Sequence, residues 1–271
     1  MPHPPKLIML GTGSAFPAHS YHTCFVLEDA GFLLLADAGG GYGIIHRFEE
    51  CGVEVSSLRH FFISHTHTDH ILGAVWVIRA VINAAKGGNY DGKLNVYGNK
   101  AVIDALDTLC RLTLLPDHYD IMRRLTCFVD VEVHPRLHIG CDSINFFDVG
   151  SENVRQTGFR LKLSNGRELV FLGDESIINA NIKHCLNADW VVCGAFCRHA
   201  DASIFKPYEK HHHTVRDVAL CAQQANVKRL VLVHAEDTDL PNRSEKFAAE
   251  TSDCYDGITL VPRDGDVIYI D

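Results

Sequence analysis

The chain has no run of about 20 apolar residues, the length a helix needs to cross a bilayer. It shows no secretory leader: Met1-Pro2-His3-Pro4-Pro5 is a short tail, not a charged segment followed by an apolar one. It has no low-complexity linker, so residues 1–271 are expected to form a single hydrolase-sized domain. It also lacks a surplus of positive charge. Lys and Arg number 25 against 34 Asp and Glu, and the formal charge of −9 argues against bulk affinity for nucleic acid or anionic membranes. Ten cysteines are present, but without the paired spacing of a disulfide framework or a sulfur-ligated metal site. Cys193 and Cys197 stand four apart with no second pair, and others lie within apolar runs. They read as reduced core thiols of a cytoplasmic protein. With 46% hydrophobic and 22% charged residues, the chain can build a large core, and disorder is excluded.

What is present is an alternation of short apolar strands and helices. Strands are expected at 6–10, 24–27, 32–36, 61–63, 94–97, 128–134, 143–149, 158–163, 168–172, 190–193, 230–233 and 267–270, the last closing a sheet edge. Helices are expected at 44–51, 71–81, 100–112, 177–186 and 215–225. Residues 116–122 carry the least regular pattern and read as a mobile loop. Gly11-Thr12-Gly13 makes a tight turn, a weak phosphate signal by itself. Asp37-Ala38-Gly39-Gly40-Gly41 reads as a loop where backbone must approach a neighbour closely. The strands fall into two groups, which implies an α/β fold of two sheets face to face with helices outside.

The densest chemistry is His65-Thr66-His67-Thr68-Asp69-His70. On an extended segment a period of two puts His65, His67 and Asp69 on one side, and His70 turns in next to them. Imidazole and carboxylate suit zinc or a related transition metal, and four such ligands this close usually serve two ions. An apolar strand precedes the cluster and an apolar helix follows, with Asp69 placed as the helix cap. The pattern recurs: one strand ends at Asp174 and another at His234, so several carboxyl-terminal strand ends deliver ligand-type residues, where α/β folds gather their sites.

H-T-H-T-D-H, the early Gly11-Thr12-Gly13, Asp37-Ala38-Gly39, Gly173-Asp174 and Leu232-Val233-His234 together resemble the metallo-β-lactamase superfamily over nearly the whole chain. His212-His213-Thr214 before a helix looks like the H-x-T element of its ribonuclease Z and phosphodiesterase branch. The resemblance implies a four-layer αββα sandwich with two divalent metal ions, zinc first and manganese or iron as alternatives. His65 and His67 would hold one ion, Asp69, His70 and His234 the other, and Asp174 would bridge them. Asp69 would orient a metal-activated water, and His212 would assist the leaving oxygen. The resemblance also implies a homodimer.

Two positions depart from the family pattern. A third histidine for the first ion is expected shortly before Gly158-Phe159, yet none lies between His138 and His184; depending on register, Glu152 or Gly150 stands there. An acidic residue that often orients the H-x-T histidine is replaced by Gly194. Three functions therefore compete: a metal-dependent phosphodiesterase, a degenerate sandwich serving as a binding or scaffold protein, and a lactone or thioester hydrolase. For the first, a small phosphodiester or nucleotide ranks above structured RNA. The RNA-processing members carry a Gly- and Lys-rich arm, and the 174–212 interval offers no room for one.

Overall fold

A computed structural model describes residues 4–139 and 142–271. The tail residues Met1 to His3, and Cys141 among the cysteines, lie outside them. The strands are β1 (Lys6–Gly11), β2 (Cys24–Asp29), β3 (Phe32–Ala36), β4 (His60–Phe62), β5 (Leu94–Gly98), β6 (Thr126–Asp130), β7 (Arg136–Ile139), β8 (Asp142–Asp148), β9 (Thr157–Lys162), β10 (Glu168–Phe171), β11 (Trp190–Gly194), β12 (Arg229–Val233), β13 (Ile258–Leu260) and β14 (Val267–Tyr269). They form two seven-stranded sheets, ordered β14-β1-β2-β3-β4-β5-β6 and β13-β12-β11-β10-β9-β8-β7. The helices are α1 (Gly43–Glu50), α2 (Thr68–Lys86), α3 (Lys100–Thr113), α4 (Pro116–Leu125), α5 (Ile182–Cys185), α6 (Ala202–Phe205), α7 (Val215–Gln224) and α8 (Leu240–Ser252).

Alternation along the strands builds the layers. Leu7, Met9, Phe25, Leu27, Phe62, Phe159, Phe171 and Val192 face inward and fill the space between the sheets. Leu10, Val26, Leu35 and Phe61 face outward and pack under α1, α2 and α3. Val170, Val191, Leu230 and Leu232 do the same on the other side, under α7 and Phe247 of α8. The result is a four-layer αββα sandwich. Among the described residues no helix is long and apolar enough to cross a membrane.

Four local expectations need correction. Residues 116–122 are not a loop but most of helix α4: Pro116 occupies the first turn, where its missing N–H costs nothing, and Met122 anchors the helix in the core. The 128–134 strand begins two residues earlier and stops at Asp130, after which the chain turns and Arg136–Ile139 pairs antiparallel with β8. The 177–186 helix shrinks to Ile182–Cys185. Asn181 is the cause: its buried side chain accepts from the Ile178 amide and donates to the Val149 and Ser176 carbonyls, competing with helical bonding. Asp69 does not cap α2; His67 is the cap residue, and Asp69 sits in the first turn, where the helix dipole favours its charge. The nine described cysteines are free, and Cys193 and Cys197 are buried outside any candidate metal group.

Candidate metal centre

Helix α2 starts where it does because a glycine lets it press against the 37–41 loop. A Cβ on Gly73 would lie 1.9 Å from the Ala38 carbonyl oxygen, and the Gly73 amide donates to Gly39. Tyr21 holds the same loop from the other side, its hydroxyl donating to Ala38 O and Gly41 O. The loop is thus the site of close backbone approach that its glycines suggest. The Gly11-Thr12-Gly13 turn is likewise a packing device: Gly13 bridges His22 and Ala235, and the Gly13 carbonyl accepts from Thr23. Thr23 Oγ1 in turn accepts from the His234 amide and fixes that residue in its left-handed conformation, φ 54°.

These contacts bring six residues together from both sheets. His65, His67 and Asp174 have ligand atoms mutually within 4.8 Å, and so do Asp69, His70 and His234. Asp174 Oδ2 lies 3.6 Å from His65 Nε2, 3.8 Å from His70 Nε2 and 3.8 Å from His234 Nε2, so it stands between the two groups. His65, His70 and His234 are almost wholly buried, whereas His67 is exposed at the mouth. Burial pushes His65 down to about 4 and His234 to about 3. Burial acts the same way on His70, but Asp37 and Asp69 overcome it and raise that imidazole well above its ordinary value. Asp174 is held well below the carboxylate range: the penalty of burial is outweighed by His65, His234 and His70 around it.

Asp37 is the residue the sequence reading did not assign. Its carboxylate, fully buried, accepts from Ser64 N (2.7 Å), Ser64 Oγ (2.8 Å) and His70 Nδ1 (2.8 Å). Ser64 Oγ also meets His65 Nδ1 at 2.9 Å. One carboxylate therefore orients His70 directly and His65 through a hydroxyl, turning both Nε2 atoms toward Asp174. The only signal was the D-A-G triplet itself; its partners lie 27 and 33 residues downstream. Gln156 was also missed. It is 1% exposed and donates from Nε2 to Asp174 Oδ1.

Glu152 does not join the centre, and here the sequence expectation is overturned. Its side chain is 82% exposed and pairs with His211 Nδ1 at 3.5 Å, because the segment turns outward at Gly150, φ 75°. Gly194 proves to be obligatory. A Cβ there would sit 2.0 Å from the Asp174 carbonyl oxygen, so no acidic side chain fits. His212 is held by aromatic contacts instead, with its ring 5.2 Å from Phe196 and 5.0 Å from His234. Thr214 and Asp217 close a reciprocal capping box on α7 just beyond it. His212 lines the metal cleft together with His67, Asp69, Gln156, Asp174 and His234.

A family described as "Anti-Pycsar protein Apyc1" matches residues 5–251. Ribonuclease Z of Thermobifida fusca (strain YX) is 24% identical over 302 residues, covering 96% of this chain and 92% of its own. Among solved structures, the metallo-β-lactamase fold protein YhfI from Bacillus subtilis superposes with a TM-score of 0.78 at 19% identity, covering 98% of this chain and 99% of that one. Human tRNase Z, short form, gives a TM-score of 0.73 at 21% identity, with coverage of 98% and 99%.

Proposed function

This chain belongs to the Anti-Pycsar protein Apyc1 family, and from that premise we propose that it is a metal-dependent hydrolase of small phosphodiesters, nucleotides among them. The observation that carries the reading is the pair of three-residue ligand groups meeting at Asp174 on an open cleft. The donors fit cations. His65 Nε2, which faces Asp174, is buried without a hydrogen-bond partner, a costly state unless something accepts its lone pair. Four imidazoles and two carboxylates suit zinc, with manganese or iron as alternatives. Held by His65, His67 and Asp174 on one side and Asp69, His70 and His234 on the other, divalent cations would supply Lewis acidity toward the phosphoryl group and would make water more acidic.

The chain's own residues do the rest. Asp69, in the first turn of α2, accepts a hydrogen bond from the attacking water and aims it. Asp37 and Ser64 hold His65 and His70 in one orientation, and Gln156 holds Asp174. His212 gives a proton or a hydrogen bond to the departing oxygen. Structured RNA ranks below a small diester: residues between Asp174 and His212 go into α5, β11, α6 and short turns, and the chain carries −9. The family's description names opposition to Pycsar, and removal of a small phosphodiester is the chemistry this cleft offers to that end. The free thiols support a reducing, cytoplasmic setting.

Metal analysis of freshly purified protein together with turnover of bis(p-nitrophenyl) phosphate tests the proposal. Two equivalents of metal and diester cleavage, both lost in Asp174→Ala, are the expected result. Metal-poor protein without diester turnover would point to a binding protein. Lactone or thioester turnover exceeding that of the diester would point to the third chemistry.

A further inference from the structure

A second cavity of about 330 Å³ adjoins the cleft, and Glu175, His211 and His212 line both. Asp69, Asp174 and Glu175 put carboxylates on the cleft, and Glu152 adds another on the second cavity. Among the described residues lining the two spaces, Lys210 is the one lysine or arginine. Two of these carboxylates, Asp69 and Asp174, would be occupied by cations, and from the protein itself an entering phosphodiester anion meets a single group of fixed positive charge.

That lysine is held rather than loose. Its ammonium nitrogen sits 4.8 Å from the centre of the Phe196 ring, a cation–π contact. Phe196 is only 7% exposed, and the same ring stacks with His212 at an interplanar angle of 19°. The backbone is fixed as well. Lys210 N and His212 N both donate to the Pro207 carbonyl, and His211 between them is left-handed, φ 58°. That conformation ends the short turn Tyr208–Lys210 and sets the direction in which the chain runs on to His212. One aromatic ring thus positions two side chains of the cleft, a cation and an imidazole.

We propose that Lys210 is a substrate-anchoring residue whose ammonium takes a non-bridging oxygen of the phosphodiester. The inference rests on the hydrolase reading. An ammonium on a four-carbon stem, carrying three donors, suits a phosphoryl oxygen whose position varies slightly between substrates. No bond is made or broken at Lys210; it lowers the electrostatic cost of bringing an anion among carboxylates.

Metal-loaded wild type, Lys210→Met and Lys210→Arg are compared on bis(p-nitrophenyl) phosphate and on the uncharged ester p-nitrophenyl acetate. Lys210→Met should raise KM for the diester about 10- to 100-fold with a much smaller change in kcat, and Lys210→Arg should recover most of it. The wild-type KM should climb more steeply with ionic strength than that of Lys210→Met. Metal content and acetate turnover should be the same in all three. Calorimetric titration with inorganic phosphate keeps the two readings apart: binding should weaken by a similar factor in Lys210→Met even if the wild type proves unable to cleave the diester, a failure that would count against the hydrolase reading alone. Equal phosphate affinity in wild type and Lys210→Met, or an unchanged diester KM in an active enzyme, would overturn the assignment.

Discussion

Substituting Gly194 by alanine tests how the second sheet sets the metal centre. Gly194 ends β11, and its amide donates to the Glu175 carbonyl. The added methyl would stand 2.0 Å from the Asp174 carbonyl oxygen and 2.8 Å from its carbon, where ordinary contact begins near 3.4 Å. Backbone on both sides leaves no flexible side chain to yield, so the Asp174 segment must retreat by about 1.4 Å. Overpacking of this kind costs roughly 1–3 kcal/mol, which for a chain of this size lowers Tm by roughly 2–5 °C. The displaced residue is the carboxylate standing between the two ligand groups, so the loss should be larger with metal than without it, because ligand-linked stabilisation shrinks as affinity falls. Thermal unfolding in excess chelator gives the packing cost; unfolding in saturating zinc, with metal counted by mass spectrometry, gives the second component. A Gly194→Ala protein that melts like wild type in chelator and retains its full metal content would refute the argument that backbone contact at Gly194 fixes Asp174.

Other substitutions probe separate links. Asp37→Asn leaves the shape but removes the charged acceptor of Ser64 and His70, and metal affinity measured by chelator competition should fall about 10- to 100-fold; unchanged affinity would remove Asp37 from the centre. His212→Ala should slow a diester with a poor leaving group about 10²- to 10⁴-fold while metal content stays constant and nitrophenyl substrates suffer less; equal loss on both substrates would argue against leaving-group assistance. His60, remote from the centre, is pushed down to about 4 by burial and then by Arg59. The unfolded chain takes up a proton near 6.5 that the folded state refuses, so stability falls as pH drops from 6.5 toward 4. His60→Phe should flatten that loss by on the order of 1–2 kcal/mol, less than the bare shift because part of the ring meets solvent. Urea unfolding at pH 7 and 4.5 measures it, and identical pH dependence in both proteins would contradict the assignment.

The six candidate ligands were legible because they follow the apolar strands β4, β10 and β12 or open the helix after β4, a local pattern that needs no knowledge of partners. The residues that orient them were not. Asp37 acts on Ser64 and His70 across the first sheet, and Gln156 acts on Asp174 from the residue before β9, so their roles exist only once the chain has folded. Glu152 misled because a register taken from Gly158-Phe159 counts residues but not the direction of a loop, and Gly150 turns that loop away. The α4 segment hid behind Pro116, which punctuates a sequence and yet starts a helix. β7 hid because Arg136-Leu137-His138-Ile139 is an edge strand with a polar, largely exposed surface.

The strand β14 returns to the first sheet after all the strands between residues 136 and 260 have gone into the second. Just before it, Asp264 accepts from Thr12 Oγ1 and the Tyr21 amide, and the Asp266 carbonyl accepts from Met9 N. Without the 264–269 segment, therefore, β1 keeps an open edge, and the loop carrying Thr12 and Tyr21 lacks its anchor. A chain cut short after Leu260 would carry His65 to His70, Asp174 and His234 and still leave the sandwich unlatched at its first strand, so the integrity of the site at one end of the sheets hangs on a clasp made by the last residues of the fold.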